Sequence, residues 1–393
     1  MKSFALPLEQ SLSTCMLFIK IKYNKALATS AGKETKLLSM GVMATRKHAE
    51  EPYFTKIAQM SEEAGVQVFR FCPDQIKIHE KTVYGDVFDQ QLRQWIPKDF
   101  TIPDFIYDRH FRGLIRNSDE ISHNIKWLKK NAVFLGHGLP GKYKVFQSLS
   151  KIDSLSRFLP PTNKVRIPED IWLDLSIHSR VMLKPEFGSK GTGIYLIENK
   201  ENGSLVRMTK KEGGFERLFD KKAALHKWFR YLIEQCPYLT QPYLELSNAQ
   251  GKPWDLRILI QKDSSGMWTE RVRGARLGRA HCITANLAAG AQVIPFDIML
   301  KGFPLKLQGK IQESIDHIIQ HLPHELETRI ARLFELGLDL GVDKKGDVWI
   351  LDINSKPGRK IMELLDPDNM HKLYKAPSLY CTFLNAELLK AGE

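Results

Sequence analysis

An acid and an amide stand inside an otherwise apolar stretch, "VWILDINSKPGR" at residues 348–359. Side chains alternate across a strand, so a period-two reading puts Val348, Ile350, Asp352 and Asn354 on one face and Trp349, Leu351 and Ile353 on the other. Just upstream, "GLDLGVDKKGD" carries a turn signal at Lys345-Gly346. The hairpin it predicts sets Asp339 opposite Asp352, on one face with Asn354, and leaves Asp343 beside the turn, too far along the strand. Two carboxylates and an amide oxygen make a hard-oxygen set of the kind Mg2+ prefers, usually shared with substrate phosphates. Left unpaired in a core, the same acids would be costly. The plainer reading is that Asp352 and Asn354 end the strand into the "SKPGR" turn.

A second group is "VMLKPEFGSKGTGIYLIE", with Lys184 on a strand and Gly188, Gly191 and Gly193 in the turn to the next strand. Glycines let backbone N–H groups close over phosphate oxygens, and a strand lysine adds a point charge. A dinucleotide fingerprint or a P-loop has its glycines opening a helix, whereas here a strand follows, which predicts a hairpin lid. A glycine-rich hairpin with no ligand is the alternative. In a third piece, "WDLRILI", Asp255 and Arg257 share one face. Arginine suits bidentate contact with phosphate or carboxylate, while an exposed Asp/Arg pair is common and contributes little.

The elements that must position these residues follow from pattern. "GVMAT", "EPYFTKIAQMSEEAG" and "VQVFRF" read as strand, amphipathic helix and strand, a small βαβ unit over residues 41–70. A strand "PDFIYDR" follows at 103–109, then a helix "SDEISHNIKWLKK" capped by Ser118. "GHGLPGKYK" and "FLPPTNK" mark breaks. Beyond them hairpin-like strands dominate, with helices at "KKAALHKWFRYLIEQ" from 221 and "KIQESIDHIIQHLPHELETRIARLFELG" from 310, the second interrupted by Pro323. Strand-rich elements with helices laid against them predict α+β architecture.

Composition bounds the rest. A chain of 393 residues with 43% hydrophobic and 26% charged residues is ordinary for a globular protein of more than one domain. No stretch reaches the roughly 18 apolar residues of a membrane helix. The early apolar patch "CMLFIKIKY" is broken by lysines and reads as a strand rather than a secretion signal. Five cysteines, Cys15, Cys72, Cys236, Cys282 and Cys381, form no CxxC pair, which fits a reducing cytosol. The net charge of +13 is spread along the chain with no nucleic-acid motif beside it, so polyphosphate or acidic ligands account for it as well as nucleic acid would.

In order along the chain, the lysine strand, the glycine hairpin, "LTQPYLEL", "DLR", "TANLAAGA" and "GLD…LDIN" resemble the ATP-grasp superfamily. "GLDLGVDKKGDVWILDINSKPGR" resembles in particular the YheC/YheD family of endospore coat-associated proteins. The resemblance implies an α+β ATP-grasp fold over residues 141–375, with a lid subdomain at about 181–243. An α/β pre-ATP-grasp domain at 1–140 precedes it and a tail at 376–393 follows. It implies ATP and Mg2+ as cofactors. Lys142, with Lys144 as second choice, matches the lysine before the lid that contacts nucleotide phosphates, and Lys184 matches the lid-strand lysine. Gly188, Ser189, Gly191 and Gly193 match the loop over the triphosphate. Gln241 to Leu244 match the adenine hinge, with Glu245 near the ribose. The commoner pattern has an acid where Gln241 or Pro242 stands, and Pro242 has no N–H, so adenine contacts are expected at Tyr243 and Leu244. Arg257 matches the arginine that neutralises the transferring phosphate, Asn286 the asparagine before a small-residue turn, and Asp339, Asp352 and Asn354 the magnesium ligands. The usual glutamate is shortened to Asp352.

The implied reaction is ligation of a small carboxylate to an amine or thiol through an acylphosphate, by positioning and charge neutralisation. A kinase acting on a hydroxyl and a non-catalytic coat component are the alternatives. Arg109, Arg273, Arg276 and Arg359 lie near the motifs and could hold an acidic substrate, Arg359 first because it follows the metal strand. No nucleic-acid or membrane partner is expected, and the expected location is the cytoplasm, with incorporation into the spore coat. His317 and His321, one helical turn apart, lack an HExxH pattern and read as a solvated face. The "HKWFRYLI" aromatics read as packing.

Overall fold

The computed structural model describes residues 37–111, 119–188, 191–210, 213–280 and 282–391. The "CMLFIKIKY" strand, the Ser118 cap and Ser189 lie outside these residues. The chain divides into two compact units, one running to His137 with Lys262–Thr269 and the segment from His371, the other Gly138–Gln261 with Glu270–Met370.

The first unit is α/β. Strand β1 (Leu38–Met43) leads through helix α1 (Glu51–Ser61) to β2 (Val66–Phe71), and β1 and β2 pair in parallel as the βαβ pattern predicts. Pro52 opens α1, Tyr53, Phe54, Ile57, Ala58 and Ser61 form its buried stripe, and Gly65 at φ +64° ends the turn that follows. After β2 come β3 (Ile76–Lys77), the hairpin β4 (Thr82–Asp89) and β5 (Gln94–Thr101), β6 (Phe105–Asp108), helix α2 (Asp119–Asn131) and β7 (Val133–Phe134). The sheet order is β3-β4-β2-β1-β6-β7, with β5 on β4. The unit closes on the C-terminal helix Met370–Lys390.

The second unit carries two antiparallel sheets. It begins with helices α3 (Lys142–Leu149) and α4 (Asp153–Ser156), β8 (Asn163–Val165), helix α5 (Pro168–His178) and β9 (Arg180–Pro185). Strands β10 (Tyr195–Lys200), β11 (Gly203–Lys210) and β12 (Gly213–Phe219), helix α6 (Lys222–Gln235) and β13 (Tyr238–Pro242) complete a sheet of order β12-β11-β10-β9-β13-β8. Ile171 and Leu175 of α5 and Leu225, Phe229 and Leu232 of α6 pack with Val181, Leu183, Ile197 and Val206. Trp228 packs beside them, so Trp228 and Phe229 are packing residues, as their spacing predicts, while Tyr231 is exposed.

The second sheet holds β14 (Trp254–Lys262), β15 (Trp268–Leu277), β16 (Gln292–Pro295), β17 (Glu335–Val342) and β18 (Val348–Asn354), in order β16-β15-β14-β17-β18. Helices α7 (Phe296–Leu300) and α8 (Leu305–Arg329) precede β17, and α9 (Lys360–Leu365) follows β18. Leu256, Ile258, Ile260, Leu336, Leu338 and Leu340 form one wholly buried face of this sheet. Pro323 does not interrupt α8, which runs on to Arg329. Proline removes one backbone donor, and buried Leu322, Pro323 and Leu326 hold that turn in place by packing. The residues after Arg329, expected as helix, lead instead into β17.

Candidate functional site

The β17–β18 ladder pairs Asp339 with Asp352 and Gly337 with Asn354, the register expected from the turn. The period-two reading of β18 needs one correction. Leu340 pairs with Ile350, so a bulge at Leu351 separates the two halves of the strand. Paired residues share a face, so Val348 and Ile350 join Leu340 and Val342 on the apolar side, while Asp352 and Asn354 join Asp339 on the other. Seven consecutive positions therefore serve a core at one end and a polar site at the other. Asp343 closes the turn instead: its Oδ1 accepts from the N–H groups of Lys345 and Asp347 (2.9 and 3.0 Å) and its Oδ2 from Trp349 Nε1 (3.2 Å).

Asp339 is held from two strands. Arg257, its register partner on β14, donates from Nη1 to Oδ1 at 2.6 Å, and Arg276 of β15 places Nη2 3.1 Å from Oδ2. Arg276 is itself fixed by a two-pronged contact with Asp255, Nε to Oδ1 at 2.6 Å and Nη2 to Oδ2 at 2.8 Å. Burial works to raise the pKa of Asp339, but the charges and hydrogen bonds of Arg257 and Arg276 overcome it and lower it to about 2. Asp255 and Arg257 share a face but not each other, and Arg257 is buried rather than a surface residue. Its guanidinium lies across Gly337, where a Cβ would stand 2.4 Å from Nη2 and 2.8 Å from Pro357.

Asp352 meets Lys142, the first residue of α3, whose Nζ is 2.6 Å from Oδ2. Two contacts set that helix start: Leu139 N–H donates to Ser355 Oγ at 2.9 Å, and Lys142 N–H to the Glu186 carbonyl at 3.4 Å. A Cβ at Gly141 would stand 2.7 Å from the ring of Phe187, which is exposed. Lys144, two residues on, is exposed on another side of α3. Asn354 turns its amide nitrogen to Asp352 Oδ2 at 3.4 Å. Lys184, on β9 opposite Leu239, is half-buried. Burial and the charge of Lys142 lower its pKa to about 8, against the pull of Asp352 and Asp339, which places all four groups within electrostatic reach.

The glycine hairpin joins β9 to β10, with Tyr195 paired to Leu183. Gly191, at φ +69°, lies so close to Asn286 that a Cβ would stand 2.6 Å from Nδ2. Asn286 caps the turn Leu287–Ala289, accepting from Ala288 N–H at 3.0 Å. Gly188 (φ +153°) and Gly193 (φ +74°) also need the glycine region.

At the hinge, Gln241 Nε2 donates to Thr162 Oγ1 at 2.8 Å. The Tyr243 N–H donates to the Arg180 carbonyl at 3.0 Å because the β9–β13 pairing runs one residue beyond Pro242, so it is not available to a base. That engages within the sheet the N–H of Tyr243, one of the two residues at which adenine contact is expected. Arg180 also lies 4.8 Å over the Tyr243 ring and bonds Glu245 Oε1 at 2.7 Å. That hydrogen bond holds the Glu245 carboxyl below its ordinary value, and Lys344 stands 3.8 Å from Oε2.

Of the other arginines considered, Arg276 joins the cluster. Arg273 is bound to Glu270 and Asp316, and Arg359 is buried near the Pro357 carbonyl. Arg109 belongs to the first unit, where it bonds Glu50 at 2.8 and 3.0 Å. His317 contacts the Ser154 carbonyl, and no group of three His, Cys, Asp or Glu residues suited to a metal occurs among the described residues. Arg276 and Asp255 as a largely buried pair, and Gly337 as the seat of Arg257, escape sequence reading. An arginine inside a strand names no partner.

The donor set still fits a hard divalent cation. Asp339, Asp352 and the Asn354 amide oxygen share one face, and nearby cations match an anionic co-ligand such as a phosphate chain.

The family described as "YheC/D like ATP-grasp" matches residues 131–384. The chain is 32% identical to the endospore coat-associated protein YheC of Bacillus subtilis (strain 168), over 91% of this chain and 98% of that one. It is 26% identical to YheD of the same organism, over 87% and 76% of the two chains. Among solved structures it resembles D-alanyl-alanine synthetase A from Vibrio cholerae O1 biovar eltor str. N16961, with TM-score 0.52 and 12% identity over 91% of this chain and 100% of that one.

Proposed function

The chain belongs to the YheC/D-like ATP-grasp family and has the α+β ATP-grasp fold, and from that premise we propose that it is an ATP-dependent ligase joining a small carboxylate to an amine or thiol. The observation that carries the reading is the meeting of Asp339, Asp352 and Asn354 with Lys142, Arg257 and Arg276 on one sheet face, with Lys184 within electrostatic reach. Asp339, Asp352 and Asn354 would hold Mg2+, which supplies charge neutralisation at the triphosphate. Lys142 and Lys184 bind phosphate oxygens, Gly188, Gly191 and Gly193 fold over them, and the Leu244 amide contacts the base while Glu245 stands near the ribose. Arg257 leans on the transferring phosphate from its seat over Gly337.

The acceptor carboxylate attacks the γ-phosphorus, the bond to the bridging oxygen breaks, and ADP leaves with an acylphosphate formed. The amine or thiol then attacks the acyl carbon, and inorganic phosphate departs with the proton lost to solvent. Fixed cations around the reacting groups lower the barrier by stabilising charge that water would otherwise reorganise to meet. Both relatives are named as endospore coat-associated, which supports a coat-linked role, and no helix among the described residues is long and apolar enough to cross a membrane.

The test is ADP release from ATP across a carboxylate library, with and without amines and thiols. A carboxylate that releases ADP only when a nucleophile is present, with a condensed product in the mass spectrum, supports the ligase. Turnover of hydroxyl compounds to phosphate esters supports a kinase, and lack of nucleotide binding supports a structural role.

A further inference from the structure

We propose that Lys142 makes metal entry depend on nucleotide, by occupying with its own charge the carboxylate oxygen that a divalent cation needs. The inference rests on the nucleotide and metal reading above and adds an order of events to it. Lys142 Nζ lies 2.6 Å from Asp352 Oδ2. A magnesium ion on the same oxygen sits about 2.1 Å away, so ammonium and ion would stand less than about 5 Å apart. Like charges that close, partly screened from water, repel strongly. Asp339 is equally engaged, Oδ1 by Arg257 at 2.6 Å and Oδ2 by Arg276 at 3.1 Å. The cluster holds four cationic side chains, Lys142, Lys184, Arg257 and Arg276, against three acids, Asp255, Asp339 and Asp352. A bare divalent cation therefore meets a site whose own charges already balance its acids.

A triphosphate changes the balance because it offers oxygens to the same cations. The residues differ in how readily they can move to it. Arg276 is pinned by both oxygens of Asp255, whereas Lys142 holds one oxygen from a flexible four-carbon stem. Lys142 therefore turns to phosphate as nucleotide arrives, Asp352 Oδ2 is released, and the metal enters with the nucleotide. The arrangement also keeps free divalent ions from trapping the empty site.

The test is Mn2+ binding to nucleotide-free protein at pH 7, followed by loss of the free-ion electron paramagnetic resonance signal. Wild type is compared with Lys142→Met, Lys142→Gln and Lys142→Met/Asp352→Asn, each checked for an unchanged melting transition. Removing the ammonium is expected to tighten Mn2+ binding at least tenfold in both single variants, and the double variant is expected to lose the gain. Adding a non-hydrolysable ATP analogue is expected to tighten Mn2+ binding to wild type at least tenfold, and much less in Lys142→Met. Equal Mn2+ affinity of wild type and both single variants overturns the proposal. If Mn2+ binding with the analogue is also no weaker in Lys142→Met/Asp352→Asn than in Lys142→Met, so that it does not depend on Asp352, the metal reading falls with it. If that dependence holds, only the role of Lys142 falls.

Discussion

Asp339 and Asp352 face each other across β17 and β18 just where a bulge at Leu351 turns the strand over, so the acids look away from the core that Leu340 and Ile350 build. The bulge lets one edge strand serve both purposes. Arg257 reaches this face from β14 because Gly337 leaves its place empty of side chain.

Gly337→Ala tests that seat. The new Cβ would stand 2.4 Å from the Arg257 guanidinium and 2.8 Å from Pro357. A guanidinium end can shift, whereas the Pro357 ring moves only with its backbone, so the fold is expected to survive with a lowered melting temperature. Displaced arginine no longer meets the transferring phosphate. Steady-state kinetics on the substrate found by the ADP assay should show kcat down ten- to a hundredfold, with nucleotide affinity within about threefold of wild type, since an interaction made mainly in the transition state is worth roughly 1–3 kcal/mol.

Arg276→Met tests the largely buried pair with Asp255. Asp255 would lose both of its hydrogen bonds and Asp339 one of its two guanidinium partners. Removing one member of a buried ion pair costs about 3–5 kcal/mol, because the remaining charge stays desolvated. Urea unfolding should show that loss, and adding Asp255→Asn to Arg276→Met should recover part of it.

The pH dependence of nucleotide binding follows from Lys184. Burial and the neighbouring Lys142 charge lower its pKa to about 8 from the ordinary 10.5. A triphosphate stabilises the ammonium and raises that pKa again, so above pH 8 binding must take up a proton. Affinity should then fall as pH rises from 8 towards 10, with proton uptake visible as a buffer-dependent heat in calorimetry. Lys184→Met should flatten that slope and weaken binding at pH 7.

What could be read from the sequence depended on how local its cause is. Asp339 opposite Asp352 was legible because a tight turn at Lys345-Gly346 sets the ladder over the next few residues. The first βαβ unit was legible from its periods, and the glycine hairpin from its glycines. The bulge at Leu351 carries no glycine or polar marker and went unread. The β4–β5 hairpin was missed because Pro97 sits in β5, which is tolerated there since β5 pairs only with β4 and forms an edge. The engagement of the Tyr243 amide with Arg180 went unread because the length of the β9–β13 pairing is a property of two distant segments. Arg276 found its partners only in three dimensions.

The most direct measurement is calorimetric binding of a non-hydrolysable ATP analogue to wild type, Asp339→Asn and Asp352→Asn, each with and without Mg2+. The account predicts that Mg2+ strengthens binding to wild type at least tenfold, and that either substitution removes most of that gain while each variant still melts cooperatively. Binding that is indifferent to Mg2+, or a gain that survives both substitutions, would contradict it.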